Sequence, residues 1–127
     1  MEGEILKEIL VEPNRLPFRV EKYARRRADF AIASVAAICS VAESGQITEL
    51  RIAVGAQNDG PVRLERIEKA LVGRNRDSID IEKEIEGIRD DLDPISDLHA
   101  GSEYRRDVIT KMLARILYDL IYREGDD

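Results

Sequence analysis

At 127 residues, 43% of them hydrophobic, the chain is long enough to bury one core and too short for two domains. Charged residues make up 36% and the net charge is -6 at pH 7, a balance that favours solubility and works against general affinity for nucleic acid or anionic membrane. Aromatic residues are only 5% and tryptophan is absent, so the core has to be made of Ile, Leu, Val and Ala. No apolar run approaches the roughly 18 residues of a membrane span. The first ten residues, MEGEILKEIL, are acidic where a signal peptide would be positive, which implies a cytoplasmic location.

Along the chain, Glu4 to Val11 places Ile5, Ile9 and Val11 on one parity and Leu6 and Leu10 on the other. A short strand and a helical turn both fit, and either makes an edge element before the loop of Pro13, Asn14 and Pro17. Phe18 to Arg27 is the most basic segment, with Arg19, Lys22, Arg25, Arg26 and Arg27 beside the stacking groups Phe18 and Tyr23. In an acidic chain this suits a solvated or subunit-facing surface, or a contact to a small anion or cofactor, better than a nucleic-acid groove.

The stretch from Asp29 to Gly55 organises the rest, as two apolar runs joined by Glu43-Ser44-Gly45-Gln46. In the second run Leu50, Ile52 and Val54 alternate with Glu49, Arg51 and Ala53, the period of a strand with one buried face. The first run is apolar on both parities and rich in alanine, so a helix is open to it. The glycine-containing turn into a good strand decides for a long antiparallel hairpin over 29–55 whose first strand is sandwiched between layers. The single cysteine, Cys39, lies in that strand and reads as a small apolar residue rather than a reactive thiol.

Gly55 to Pro61 is turn-rich but lacks the pattern of a nucleotide loop. Three helices are expected after it, over 64–72, 79–92 and 102–122. Leu64, Ile67 and Leu71 give the first its apolar spacing, with Pro61-Val62-Arg63 opening it and Gly73 ending it. Asp77 or Ser78 can cap the second, striped by Ile81, Ile85, Ile88 and Leu92. Its carboxylates read as a solvated helix surface, because no histidine joins them as a metal ligand. Ser102 is expected to cap the third, whose wide apolar face runs from Tyr104 to Ile121 with Arg105, Arg106, Lys111, Arg115 and Arg123 largely opposite. The only histidine, His99, has no partner spacing that would make it a general base. The architecture is therefore α+β, a small antiparallel sheet against about three helices, with no residue assigned a catalytic or metal-binding role.

Several short sequences then line up in order. These are Lys22…Arg26-Arg27…Asp29-Phe30-Ala31, Ile52-Ala53-Val54-Gly55, Pro61-Val62-Arg63…Glu68…Leu71-Val72-Gly73, and Ser96-Asp97…Ala100…Glu103-Tyr104-Arg105. Together they resemble the C-terminal domain of the FAD-binding medium subunit of molybdenum hydroxylases, the flavoproteins of xanthine dehydrogenase and aerobic carbon monoxide dehydrogenase. Gly3-Glu4-Ile5-Leu6 is similar to the segment just before that domain. Two positions depart from the pattern: His99 stands where the family usually has arginine, and Gly101 where it usually has serine.

The resemblance implies an oxidoreductase subunit that passes electrons from iron-sulfur centres through FAD to an acceptor. It implies partners in an FAD-binding domain or subunit, an iron-sulfur subunit and a molybdopterin subunit, with a homodimer as a further option; charge and hydropathy already speak against nucleic acid and membrane. The glycine-rich FAD-binding domain has no counterpart in this chain, so tight FAD binding by the chain alone is not expected. Met1, so soon followed by the pre-domain segment, fits a split gene or an excised fragment equally. By position, Lys22 corresponds to a lysine near the flavin; it is otherwise a plain surface lysine. Ser96-Asp97 and Tyr104-Arg105 correspond to pairs that fix the last loop and helix. The competing reading is a non-catalytic assembly or dimerisation module that kept the fold.

Overall fold

A computed structural model describes residues 3–24, 26, 31–98 and 100–123. One antiparallel sheet has the strand order β1-β2-β3-β4, formed by Phe18–Tyr23, Ala33–Val41, Ile47–Val54 and Val62–Arg63. Three helices, α1 (Glu65–Leu71), α2 (Ile81–Ile88) and α3 (Ser102–Tyr122), pack on one side of it. The α+β architecture read from the sequence is the one observed.

The hairpin of β2 and β3 is the spine of the domain, as its alternation requires. Val35 pairs with Val54, Ala37 with Ile52 and Cys39 with Leu50, and all six side chains are buried under the helices. Ile47 lies on the other parity from Leu50 yet is also fully buried. A register shift between Ser40 and Val41 resolves this: the extra residue opposite them is a β-bulge, which turns Ile47 back to the core. Gly45 sits in the connecting turn at φ 90°, the left-handed region that glycine occupies without a Cβ penalty. Residues 29 and 30 of the expected hairpin lie outside the described residues.

The first strand is not sandwiched between two layers. Ala33, Val35, Ala37 and Cys39 are buried, but Ser34, Ala36, Ile38 and Ser40 on the outer face are half-buried, with no second layer among the described residues. Nor does the expected edge element form at 4–11. That segment is neither strand nor helix, and Ile5, Leu6, Ile9, Leu10 and Val11 are each at least 70% exposed. The edge is instead the basic segment Phe18–Tyr23, recruited because each residue finds a ladder partner along β2, from Phe18 opposite Ile38 to Tyr23 opposite Ala33. Val62 and Arg63, expected to open a helix, form the short β4.

The helices fall in their expected ranges, α1 and α2 with shorter ends and α3 over the whole of its span. In α1, Ile67 and Leu71 point inward, and Gly73 follows at φ 90°. A 3₁₀ turn at Arg76–Ser78 comes next, capped by Asn75, whose side chain accepts from the Asp77 amide. Asp80, rather than Asp77 or Ser78, caps α2 by accepting from the Lys83 amide at 3.2 Å. The helix ends at Ile88 and a 3₁₀ turn, Arg89–Asp91, completes the span to Leu92. The stripe Ile81, Ile85, Ile88 and Leu92 is buried as expected.

Ser102 is the first residue of α3 rather than its cap; Gly101 takes the cap position and no side chain caps it. Two assignments at this end exchange places. Tyr104 is half exposed, while Arg105, expected on the solvent side, is 3% exposed. Further along, Ile109, Leu113, Ile116, Leu117 and Ile121 seal the inner face of β2.

Candidate functional site

Lys22, the candidate cofactor contact, is exposed on edge strand β1. It pairs with Ser34, so it belongs to the outer face of the sheet, the face the helices leave uncovered. On that face Val20 pairs with Ala36, Phe18 with Ile38, and Ala36 in turn with Ala53. Phe18 and Val20 are 57% and 67% exposed. The result is a shallow apolar groove of about 500 Å³, rimmed by the guanidinium groups of Arg19, Arg51 and Arg63. Alternate residues on a strand are roughly 7 Å apart, which sets Lys22 one step beyond Val20 at the end of the groove.

The floor at the Lys22 end is kept low by small residues. The Gly55 amide donates to the Ser34 carbonyl at 3.0 Å. A Cβ on Gly55 would stand 2.2 Å from the Ser34 hydroxyl oxygen, so glycine is what lets the two chains meet here.

The inner parity of β1 fastens it to α3. Both Glu21 carboxylate oxygens accept from Arg115, the Nη2 bond being 2.6 Å, and this pair holds the guanidinium pKa above its usual value. The Tyr23 and Tyr104 hydroxyls meet at 3.3 Å. Glu21, Lys22 and Tyr23 thus divide between the two faces: the outer two grip the helix and the middle one projects away.

Arg105 ties the loop, the sheet and α3 together at this end. Its guanidinium donates to the Ile32 carbonyl at 2.6 Å and to Asp97 Oδ1 at 2.8 Å, and the same Asp97 oxygen accepts from the Ala100 amide. Ile32 in turn donates its amide to the Tyr23 carbonyl at 2.7 Å. The Asp97 and Tyr104-Arg105 positions therefore fix the last loop and helix against the start of β2. At the opposite sheet edge Glu68, 6% exposed, accepts from the Ile52 amide at 2.8 Å and from Arg63 through both oxygens. Its carboxylate takes the place of a strand neighbour where β4 has ended, which explains the Pro61-Val62-Arg63…Glu68 spacing.

Of the remaining candidates, Cys39 is 1% exposed and burial pushes its thiol pKa up to about 11, so it packs as an apolar residue. Arg26 is exposed; Arg25, Arg27 and His99 lie outside the described residues. Among the described residues no group of three or more His, Cys, Asp or Glu side chains is arranged to hold a metal ion, and no helix is long and apolar enough to cross a membrane. Sequence reasoning missed the Glu21 to Arg115 pair and the outer groove. The signal for both was the alternation of Phe18, Val20 and Lys22 against Arg19, Glu21 and Tyr23.

Comparison with known proteins bears on what this groove serves. Residues 19–120 match the family described as CO dehydrogenase flavoprotein C-terminal domain. The 6-hydroxypseudooxynicotine dehydrogenase complex subunit alpha of Paenarthrobacter nicotinovorans is 28% identical over 123 residues, which is 95% of this chain and 42% of that protein. The glyceraldehyde dehydrogenase medium chain of Sulfolobus acidocaldarius is 32% identical over 90 residues, 70% of this chain and 31% of that protein. The structure of a Cu,Mo-CO dehydrogenase in its cyanide-inactivated form superposes with a TM-score of 0.75 at 25% identity, covering 90% of this chain and 40% of that one. The chain thus spans less than half the length of each of these relatives.

Proposed function

Because the chain belongs to the CO dehydrogenase flavoprotein C-terminal domain family, we propose that it completes the flavin subunit of a molybdenum hydroxylase and that Lys22 lies beside the flavin there. The observation that carries this reading is the family match, which extends from Arg19 in β1 to Leu120 in α3. The partners in this reading are an FAD-binding domain or subunit, an iron-sulfur subunit and a molybdopterin subunit, working in the cytoplasm.

The outer face fits a flavin in two respects. Ser34, Ala36, Ala53 and Gly55 leave a flat floor, and the Lys22 ammonium stands on the same face. Bound FAD would supply two-electron redox chemistry that no side chain of this chain provides. Lys22 sets a fixed positive charge where negative charge accumulates on reduction, and such preorganised charge stabilises it without reorganisation. Glu21 and Tyr23, fastened to α3, hold the strand on which Lys22 is carried.

The first test is an affinity pull-down of the tagged chain from its host with the visible spectrum of what accompanies it. A yellow complex with flavin and iron-sulfur absorbance is expected; a colourless, partner-free chain would count against the reading. Within an assembled flavin subunit, Lys22→Ala should lower the flavin midpoint potential by roughly 30 mV, the equivalent of ~1.4 kcal/mol for a two-electron couple. A potential and flavin affinity equal to wild type would remove Lys22 from the site. The second reading, an assembly or dimerisation module, is favoured by the exposed apolar residues Ile5 to Val11, and a concentration-dependent dimer without flavin would support it.

A further inference from the structure

A second cleft, of about 1020 Å³, opens between the start of β1, the end of β2 and the last turn of α3, and shares Phe18, Arg19 and Val20 with the groove on the outer face. Its floor is apolar, from Val41, Leu120 and Ile121. Its walls carry Arg15, Arg19, Arg76 and Arg123, against two carboxylates, Glu43 and Asp119. In a chain whose net charge is -6, four guanidinium groups against two carboxylates on one cleft are a local reversal of sign.

These guanidinium groups are largely unspent. Arg19 donates one bond, to the carbonyl of its neighbour Phe18 at 2.9 Å. Arg76 reaches the Ile121 carbonyl only at 3.4 Å, and Arg123 stands 3.9 Å from Asp119. Arg15 has no partner among the described residues. The contrast with Arg63, Arg105 and Arg115, each in a close pair with a carboxylate, is clear. Guanidinium groups are the donors best matched to carboxylate and phosphate, because their planar forks bind both oxygens.

We propose that this cleft binds a small organic anion with an apolar body, its carboxylate or phosphate held by Arg19 and Arg123 and its hydrocarbon part laid on Val41, Leu120 and Ile121. The volume is that of a small-molecule site, and an apolar floor with a few charged groups in its walls is the usual composition of one. Lys22 does not line this cleft, so its occupancy can be tested without flavin.

Calorimetric titration of the full chain with octanoate, acetate and octylammonium tests the proposal, with backbone amide shifts locating the contact. Octanoate should bind at least about tenfold more tightly than acetate, the gain expected from burying two methylenes. Octylammonium, with the same tail and the opposite charge, should not bind. Binding should weaken with added salt, and shifts should centre on Val41 and Leu120. The exposed pair Arg19→Gln/Arg123→Gln should lose at least about tenfold in octanoate affinity while melting like wild type. Equal binding of acetate and octanoate, binding of octylammonium, shifts elsewhere, or an unaffected double variant would each overturn the proposal. Binding of tetraglutamate with octanoate silent would assign the cleft to an acidic protein segment and overturn it equally.

Discussion

The two faces of strand β2 have different fates: the inner one carries Ala33, Val35, Ala37 and Cys39, the outer one sets the apolar Ala36 and Ile38 between Ser34 and Ser40. Ala33, Val35, Ala37 and Cys39 lie under α3 and are at most 3% exposed, whereas Ala36 and Ile38 open onto a groove. Hydrophobic alternation tells which residues share a face; it does not tell how many layers cover the sheet. Here the outer face stays half-buried because no second layer covers it among the described residues.

The comparison can be broken first from the inner side. Leu113, fully buried under the sheet, should cost about 3 kcal/mol when replaced by alanine, lowering the melting temperature by about 10 °C. An unchanged melting curve would mean that α3 does not seal β2. Cys39 gives a test by pH. The buried thiol keeps its proton up to about pH 11, while in the unfolded chain it releases it near 9.0. Stability is whole below pH 9 and falls as pH rises towards 11, by roughly 2–3 kcal/mol in all. The difference in unfolding free energy between wild type and Cys39→Val should show that loss, and parallel curves would place the thiol in water.

Glu68→Ala should cost about 2 kcal/mol, because the Ile52 amide loses its acceptor at a buried strand edge. Chemical denaturation would read this directly, and a neutral result would show that water serves the amide equally well. On the outer face, Ile38→Ala should cost no more than about 1 kcal/mol, within the range of partly exposed sites. A loss as large as that of Leu113→Ala would reveal that the outer face is covered in solution. Smallest of all, Tyr104→Ala should cost under about 1 kcal/mol, since its ring is half exposed and its hydroxyl meets that of Tyr23 at 3.3 Å.

Much of the candidate site was legible in the sequence, though not its grouping. The order of short motifs from Lys22 to Arg105 pointed to the family, and residues 19–120 match it. The Asp97 and Arg105 pairing agrees with the role that resemblance implied for those positions. The burial of Arg105 was not legible, because helical spacing treats an arginine as solvent-facing. The Ile32 carbonyl and the Asp97 carboxylate, brought from 73 and 8 residues away, compensate its desolvation together with the Ala31 carbonyl at 3.4 Å.

The sequence by itself determined the hairpin and the three helices after it: the hairpin from alternation and a glycine turn, α2 from its stripe, α3 from its wide apolar face. These follow from local periodicity, which acts within a few residues. Tertiary structure decided that Phe18–Tyr23 rather than residues 4–11 is the edge strand, that Asp80 and Gly101 hold the cap positions, and that one face of β2 stays open. Each of those depends on which distant segment offers a hydrogen-bond partner or an apolar neighbour, and that information is not carried by any stretch of chain read alone.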